Sequence, residues 1–144
     1  MRNRFFDLLL KIMKLCSLNE EKIRTEFDLS TAEYNGLLVL EPFDHVLCNE
    51  FSKKMGLSPS RGSRIIDRLM RKKYVASEQM KNDRRMVQIT LTPMGIRARR
   101  KIMDRMDECE QRFLQRLSVS QQTDLKNNLE TLITAIAIED GHDR

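Results

Sequence analysis

Met55-Gly56-Leu57-Ser58-Pro59-Ser60-Arg61-Gly62-Ser63-Arg64-Ile65-Ile66-Asp67-Arg68-Leu69-Met70-Arg71-Lys72-Lys73-Tyr74 is the stretch that decides the fold. Gly56 suits the left-handed residue that closes a helix, with Leu57 behind it able to fold back on Phe51. Ser58 is placed to cap the free amides of a new helix. Pro59 occupies the first helical position, where its missing N–H costs nothing and its fixed φ is already helical. Two helices joined by about three residues that include a glycine form a helix-turn-helix, whose second member enters the DNA major groove.

The opened helix has two chemically distinct faces. Gly62, Ile65, Ile66, Leu69 and Met70 recur at three- and four-residue spacing and predict one apolar stripe turned to a core. Gly62 within it allows a neighbouring helix to approach closely. Ser60, Arg61, Ser63, Arg64, Arg68 and Arg71 fall mainly outside that stripe. Arginines at helical spacing often mean only a solvated surface, so the charge distribution has to decide. Residues 61–85 hold nine Lys or Arg and three acids, a net +6, whereas the whole chain is +5 and everything outside the window sums to −1. One basic patch on a near-neutral body is the electrostatic footprint of a polyanion partner.

After Tyr74 the periodicity changes. Residues 74–80 and 86–91 are β-compatible, with Val87, Ile89 and Leu91 alternating against Met86, Gln88 and Thr90. Lys81-Asn82-Asp83-Arg84-Arg85 between them is a cationic turn. A hairpin directly behind a recognition helix is a wing, and its tip is placed to reach the adjacent minor groove.

The order of these parts resembles the MarR family of winged-helix transcriptional regulators. The resemblance rests on the helix-turn-helix, the basic helix ending Ile65-Ile66-Asp67-Arg68-Leu69-Met70, a wing containing Asp83-Arg84-Arg85, and the following Ile89-Thr90-Leu91-Thr92-Pro93-Met94-Gly95. It extends over essentially the whole chain, and Phe51-Ser52 stands where the family usually carries Leu-Ala. The resemblance implies that Asp83 orients Arg85 and that Arg85 inserts into the minor groove. It also implies a homodimer acting on double-stranded DNA and released by a small-molecule effector. The expected fold class is mostly α with a small β-hairpin wing: a winged helix-turn-helix with long N- and C-terminal dimerisation helices.

The remaining sequence fits this frame. A chain of 144 residues is read as one domain, large enough to bury roughly 68 to 70% of its unfolded surface. Within it the reading head spans about residues 30–92, flanked by dimerisation helices at about 3–20 and 93–138. Apolar residues at 40%, charged residues at 33%, three prolines and five glycines describe a helix-rich soluble chain, neither disordered nor membrane-spanning. The apolar start is broken by Asp7 and Lys11 and lacks a small-residue cleavage site. With three cysteines (Cys16, Cys48, Cys109), an odd number with no paired spacing, this points to the cytoplasm.

Residues 3–16 predict a helix that is apolar around more than one face, followed at 19–27 by a charged connector compatible with helix. Ser30 with Glu33 forms a capping box, and Leu29 with Tyr34 a hydrophobic staple, so a helix begins at Thr31 and stops at Glu41-Pro42. Losing the Ser30 cap is expected to cost about 1 kcal/mol. A short helix follows near residues 47–55. Thr92-Pro93 repeats the cap-plus-proline device and opens a helix of about 25 residues, roughly 37 Å long against the roughly 30 Å of a small domain. Its stripe Ile102, Met106, Cys109, Phe113 and Leu117 runs to the end, and a last helix, capped at Ser120, carries Leu125, Leu129, Leu132, Ile133 and Ile136. Apolar faces on the first, fifth and last helices predict a two-fold dimer with interleaved chain ends.

Within such a dimer, Ser60, Arg61 and Arg64 are the candidates for base edges, because the N-terminal part of a recognition helix goes deepest. Ser58, Arg68, Arg71, Lys72 and Lys73 are the candidates for phosphates, and Lys81, Asp83, Arg84 and Arg85 for the wing in the minor groove. No cofactor, metal or catalytic site is expected. The histidines are only His45 and His142, no glycine loop cradles a phosphate, and the acids of residues 104–110 alternate with bases as solvated helix pairs. Two other readings stay open. A winged helix is also used to bind acidic proteins, and some relatives of this type switch through a cysteine near the first helix, where Cys16 lies. Its predicted place toward a helix C-terminus disfavours a thiolate, and Lys11 and Lys14 only partly offset this.

Overall fold

Residues 4–139 are described by the computed structural model of the chain; Asn3, at the start of the predicted opening helix, and His142 lie outside the described residues. Among the described residues nine elements follow in order: α1 (Phe5–Glu26), α2 (Thr31–Val39), β1 (Val46–Leu47), α3 (Cys48–Lys54), α4 (Pro59–Arg71), β2 (Val75–Gln79), β3 (Val87–Leu91), α5 (Pro93–Leu114) and α6 (Val119–Glu139). The chain divides into two compact units, residues 1–105 and 106–144. Among the described residues no helix is long and apolar enough to cross a membrane.

In the first unit the cap signals work as the residues require. Ser30 Oγ accepts from the Glu33 amide at 3.2 Å and Glu33 Oε2 from the Ser30 amide at 3.0 Å, with Leu29 and Tyr34 both buried in the same cluster. Ser58 Oγ accepts weakly from the Arg61 amide at 3.4 Å, with Pro59 at the first helical position. Thr92 Oγ1 accepts from the Gly95 amide at 3.0 Å and donates to the Lys73 carbonyl at 2.6 Å, which ties the start of α5 to the end of α4.

Three of the helices in this unit end in the same pattern. After α3, Gly56 takes φ +65°, its amide reaching Lys53 O and the Leu57 amide reaching Ser52 O, the paired bonds of a Schellman closure. The same pair of bonds ends α1 at Asp28 (φ 51°) and α4 at Lys73 (φ 63°), where no glycine signals it. Phe51 is fully buried and Leu57 packs partly buried on the core to which it belongs.

Two features of the first unit go further than the sequence reading. The charged stretch 19–27 does not interrupt the first helix, which continues to Glu26, because buried Ile23 anchors it and Glu20 pairs with Arg24 one turn on. The wing is also more than a hairpin. Val46 and Leu47 add a third strand in the order β1-β3-β2, all antiparallel, with Val46 opposite Ile89 and Val75 opposite Leu91. Leu47 then leads directly into α3. The core gathers Leu37, Leu40, Phe51, Ile65, Ile66, Leu69, Ile89 and Ile102 around these elements.

At the crossing of α3 and α4, a Cβ on Gly62 would lie 1.9 Å from Ser52 Oγ and 2.8 Å from Ser52 Cβ. Only a hydrogen fits there. Ser52 is itself buried, and its hydroxyl is satisfied by donating to the Cys48 carbonyl at 3.0 Å, so serine is accommodated in this small-residue position.

In the second unit, the predicted cap of the last helix moves. Ser118, not Ser120, is the cap: its hydroxyl accepts from the Gln121 amide at 3.2 Å, and Gln121 Oε1 accepts from the Ser118 amide at 2.9 Å. A serine with a glutamine three residues on completes a capping box, which Ser120 has no partner to make. The long helix accordingly stops at Leu114, short of the predicted length, so that residues 115–117 can turn.

Placing a methyl at the helix crossing should show as over-packing. Gly62→Ala is expected to lower stability by about 1 to 3 kcal/mol in urea unfolding, and Ser52→Gly in the same chain to recover part of the loss.

Candidate nucleic-acid interface

The face of α4 opposite the core is a cationic stripe. Gly62, Ile65, Ile66 and Leu69 are buried, whereas Ser60, Arg61, Arg64, Arg68 and Arg71 are all exposed. Spacings of three, four and three residues put the four arginines on one side of the helix. Among the described residues, none of these four guanidinium groups is paired with an acid within 4 Å. Ser58 and Ser60 share a hydrogen bond at 3.3 Å in the first turn, exposed beside Arg61.

The wing rises from the end of this helix. α4 packs against β2, and the Thr92 amide donates to the Tyr74 carbonyl at 3.0 Å, holding the base of the hairpin to the end of α4. At the tip the Met80 amide donates to Met86 O and the Met86 amide to Asp83 O, both at 3.0 Å. Asp83 Oδ1 accepts from the backbone amide of Arg85 at 2.9 Å. The carboxylate thus fixes the backbone at Arg85. Lys81, Asp83, Arg84 and Arg85 are all exposed.

One residue expected among the phosphate contacts is placed otherwise. Lys72 Nζ lies 2.8 Å from Glu33 Oε2 and also donates to the Asp28 carbonyl, so its charge is engaged inside the molecule. Two groups competing successfully for one ammonium leave it little reason to leave for solvent. Lys73 beside it is exposed. Conversely, Lys53 and Lys54, in the last turn of α3, are exposed on the first helix of the pair, the one that crosses the DNA backbone in this motif. Their signal in the sequence is a basic pair just outside the cationic window 61–85.

Glu33 carries the electrostatics of this corner. Burial pushes its carboxyl up, but the hydrogen bonds from Lys72 and the Ser30 amide, with the charges of Lys72 and Arg68, outweigh it and hold the group below the ordinary carboxylate range. Cys48, at the first position of α3, is half-buried, and burial pushes its thiol up. Cys16 is exposed in the middle of α1, ten residues before that helix ends, so the expected placement near a helix C-terminus does not apply. Among the described residues no three His, Cys, Asp or Glu side chains are gathered as metal ligands would be.

A carboxylate whose folded pKa is depressed adds stability above its unfolded value and loses it as pH falls through the folded one. Glu33→Gln is therefore expected to cost about 1 to 2 kcal/mol at pH 7 in urea unfolding. The difference from wild type should shrink progressively below about pH 4.3.

No protein-family profile matches the sequence, and no curated protein matches it. Solved structures do. A single-residue variant of MepR from S. aureus superimposes with a TM-score of 0.82 at 22% identity, over 92% of this chain and 98% of that one. FabT from Streptococcus pneumoniae, solved in complex with DNA, gives 0.81 at 19% identity, over 94% and 97%. Wild-type MarR from E. coli gives 0.75 at 17% identity, over 92% and 98%. The chain has the winged helix-turn-helix fold of MarR, MepR and FabT.

Proposed function

We propose that the protein is a sequence-specific, double-stranded DNA-binding transcriptional regulator that acts as a homodimer on an imperfect palindrome. The observation that carries this reading is the stripe of exposed arginines on α4, opposite a fully apolar buried face and followed by a cationic wing tip. Arg61 and Arg64 read base edges, with Ser60 beside them. Ser58, Arg68, Arg71 and Lys73 meet phosphates, joined by Lys53 and Lys54. Lys81, Arg84 and Arg85 enter the minor groove, with Asp83 shaping the turn.

The dimer is supported by apolar side chains left uncovered. Phe5, Phe6, Met13 and Leu15 on α1 are each about two-thirds exposed, as are Ile133 and Ile138 on α6. Uncovered apolar side chains on a helix, taken separately for α1 and for α6, mark an interaction surface. A two-fold pair sets the recognition helices about one helical turn, 10 to 10.5 base pairs, apart. In this reading the protein performs no catalysis. It works as a cytoplasmic repressor relieved by a small-molecule effector, as the likeness to the MarR type implies.

Binding to duplexes selected from a random pool tests the reading. Arg61→Ala or Arg64→Ala is expected to weaken the selected site by about 1 to 3 kcal/mol, with far less effect on random DNA. An equal loss on both removes that residue from base reading. A flat response of affinity to salt would instead favour a protein partner, since each phosphate neutralised contributes a slope of about −0.9. Sedimentation should give twice the chain's 17.0 kDa.

A further inference from the structure

The end of the reading helix is fastened to the link between α1 and α2 by one side chain. Lys72 is the C-cap residue of α4. Its ammonium reaches 39 residues back to Glu33 Oε2, at 2.8 Å in the first turn of α2, and 44 residues back to the carbonyl of Asp28, just beyond α1. Glu33 is nearly inaccessible, its side chain 6% exposed against 32% for Lys72, and the same Oε2 accepts the Ser30 amide. Asp28 holds its carbonyl in place through a left-handed backbone (φ 51°). One nitrogen thus joins the end of α4 to the α1–α2 link, which lies far back in the chain.

We propose that Glu33 and Lys72 are positioning residues that set which half-site spacing the dimer accepts, without either touching DNA. The proposal rests on the DNA-binding dimer described above. In that reading a second copy covers the apolar face of α1, so α1 is the part fixed by symmetry, and the Lys72 node ties the reading helix to it. Two-fold symmetry doubles any shift. A displacement of about 1.7 Å in each protomer changes the separation of the recognition helices by one base-pair step, about 3.4 Å. A hydrogen bond tolerates much less than that before it is lost. Sequestering Lys72 also removes a mobile cation from the edge of the interface, where it would add affinity without adding register.

The experiment uses the full-length chain and a duplex selected by the wild-type protein from a random pool. That duplex is rebuilt with its half-sites moved one or two base pairs closer or farther apart, and calf-thymus DNA serves as the non-specific probe. Wild type is expected to favour the selected spacing. Glu33→Gln and Lys72→Met should each reduce that preference by about 2- to 30-fold, the range seen for residues coupled to a binding surface they do not contact. The double variant should lose no more than either single one, and Lys72→Arg should retain most of the preference. Affinity for calf-thymus DNA and the salt slope should stay as in wild type. A merely structural role would lower the thermal midpoint and leave the spacing profile unchanged, which overturns the proposal. A salt slope shallower by about 0.9 in Lys72→Met would also overturn it, by making Lys72 a phosphate contact. If wild type binds no duplex, the DNA-binding reading falls and takes this one with it. If wild type binds with a clear spacing preference that neither variant alters, only the positioning role falls.

Discussion

The absence of a Cβ at Gly62 is the constraint on which the reading head depends. Ser52 Oγ occupies the space that any side chain at that position would need. The two helices therefore cross at backbone distance, and the depth at which α4 sits decides how far its opposite face stands out. Interiors are close-packed, so a crossing this tight leaves neighbouring side chains few alternatives. Ile65 and Ile66 are buried in the same core, where Phe51 and Leu69 lie fully covered. The same geometry that buries one face of α4 obliges Arg61, Arg64, Arg68 and Arg71 to face water.

Charge is then sorted by position along the helix. Near the N-terminus, Ser58 and the serines after it leave Arg61 and Arg64 unopposed by acids within reach. Near the C-terminus, cations are favoured by the helix dipole, but the molecule treats the three there differently. Arg71 and Lys73 remain exposed, whereas Lys72 turns inward to a buried carboxylate. A buried carboxylate without a partner would be strongly destabilising. Glu33 needs Lys72 as much as Lys72 is held by it.

Much of this was legible in the residues because it is local. Ser30 with Glu33, Ser58 with Pro59, Thr92 with Pro93, and Gly56 each announce a helix boundary within four residues, and each boundary lies where they put it. The apolar stripe of α4 and the alternation of β3 are equally local. What the local sequence does not show depends on distant partners. Val46 and Leu47 are too few to show a period and become a strand only because β3 offers them a free edge. Residues 19–27 look like a connector by charge, and remain helical because Ile23 finds the core. Lys72 reads as one more cation in a basic run, and only folding brings Glu33 to it. The candidate site is recognisable in the sequence as a patch, then, but the inward pairing of Lys72 is not.

The three Schellman endings also differ in when they can form. Gly56 adopts its left-handed backbone at little cost, so the turn between α3 and α4 is complete within its own few residues. Asp28 and Lys73 pay a steric penalty there, and their carbonyls are captured by Lys72 and Thr92, 44 and 19 residues away. Closing loops of that length takes entropy before it yields contacts. The helix-turn-helix thus has the makings of an early nucleus, while the joints that fasten it to the rest of its unit belong to the late stage of folding.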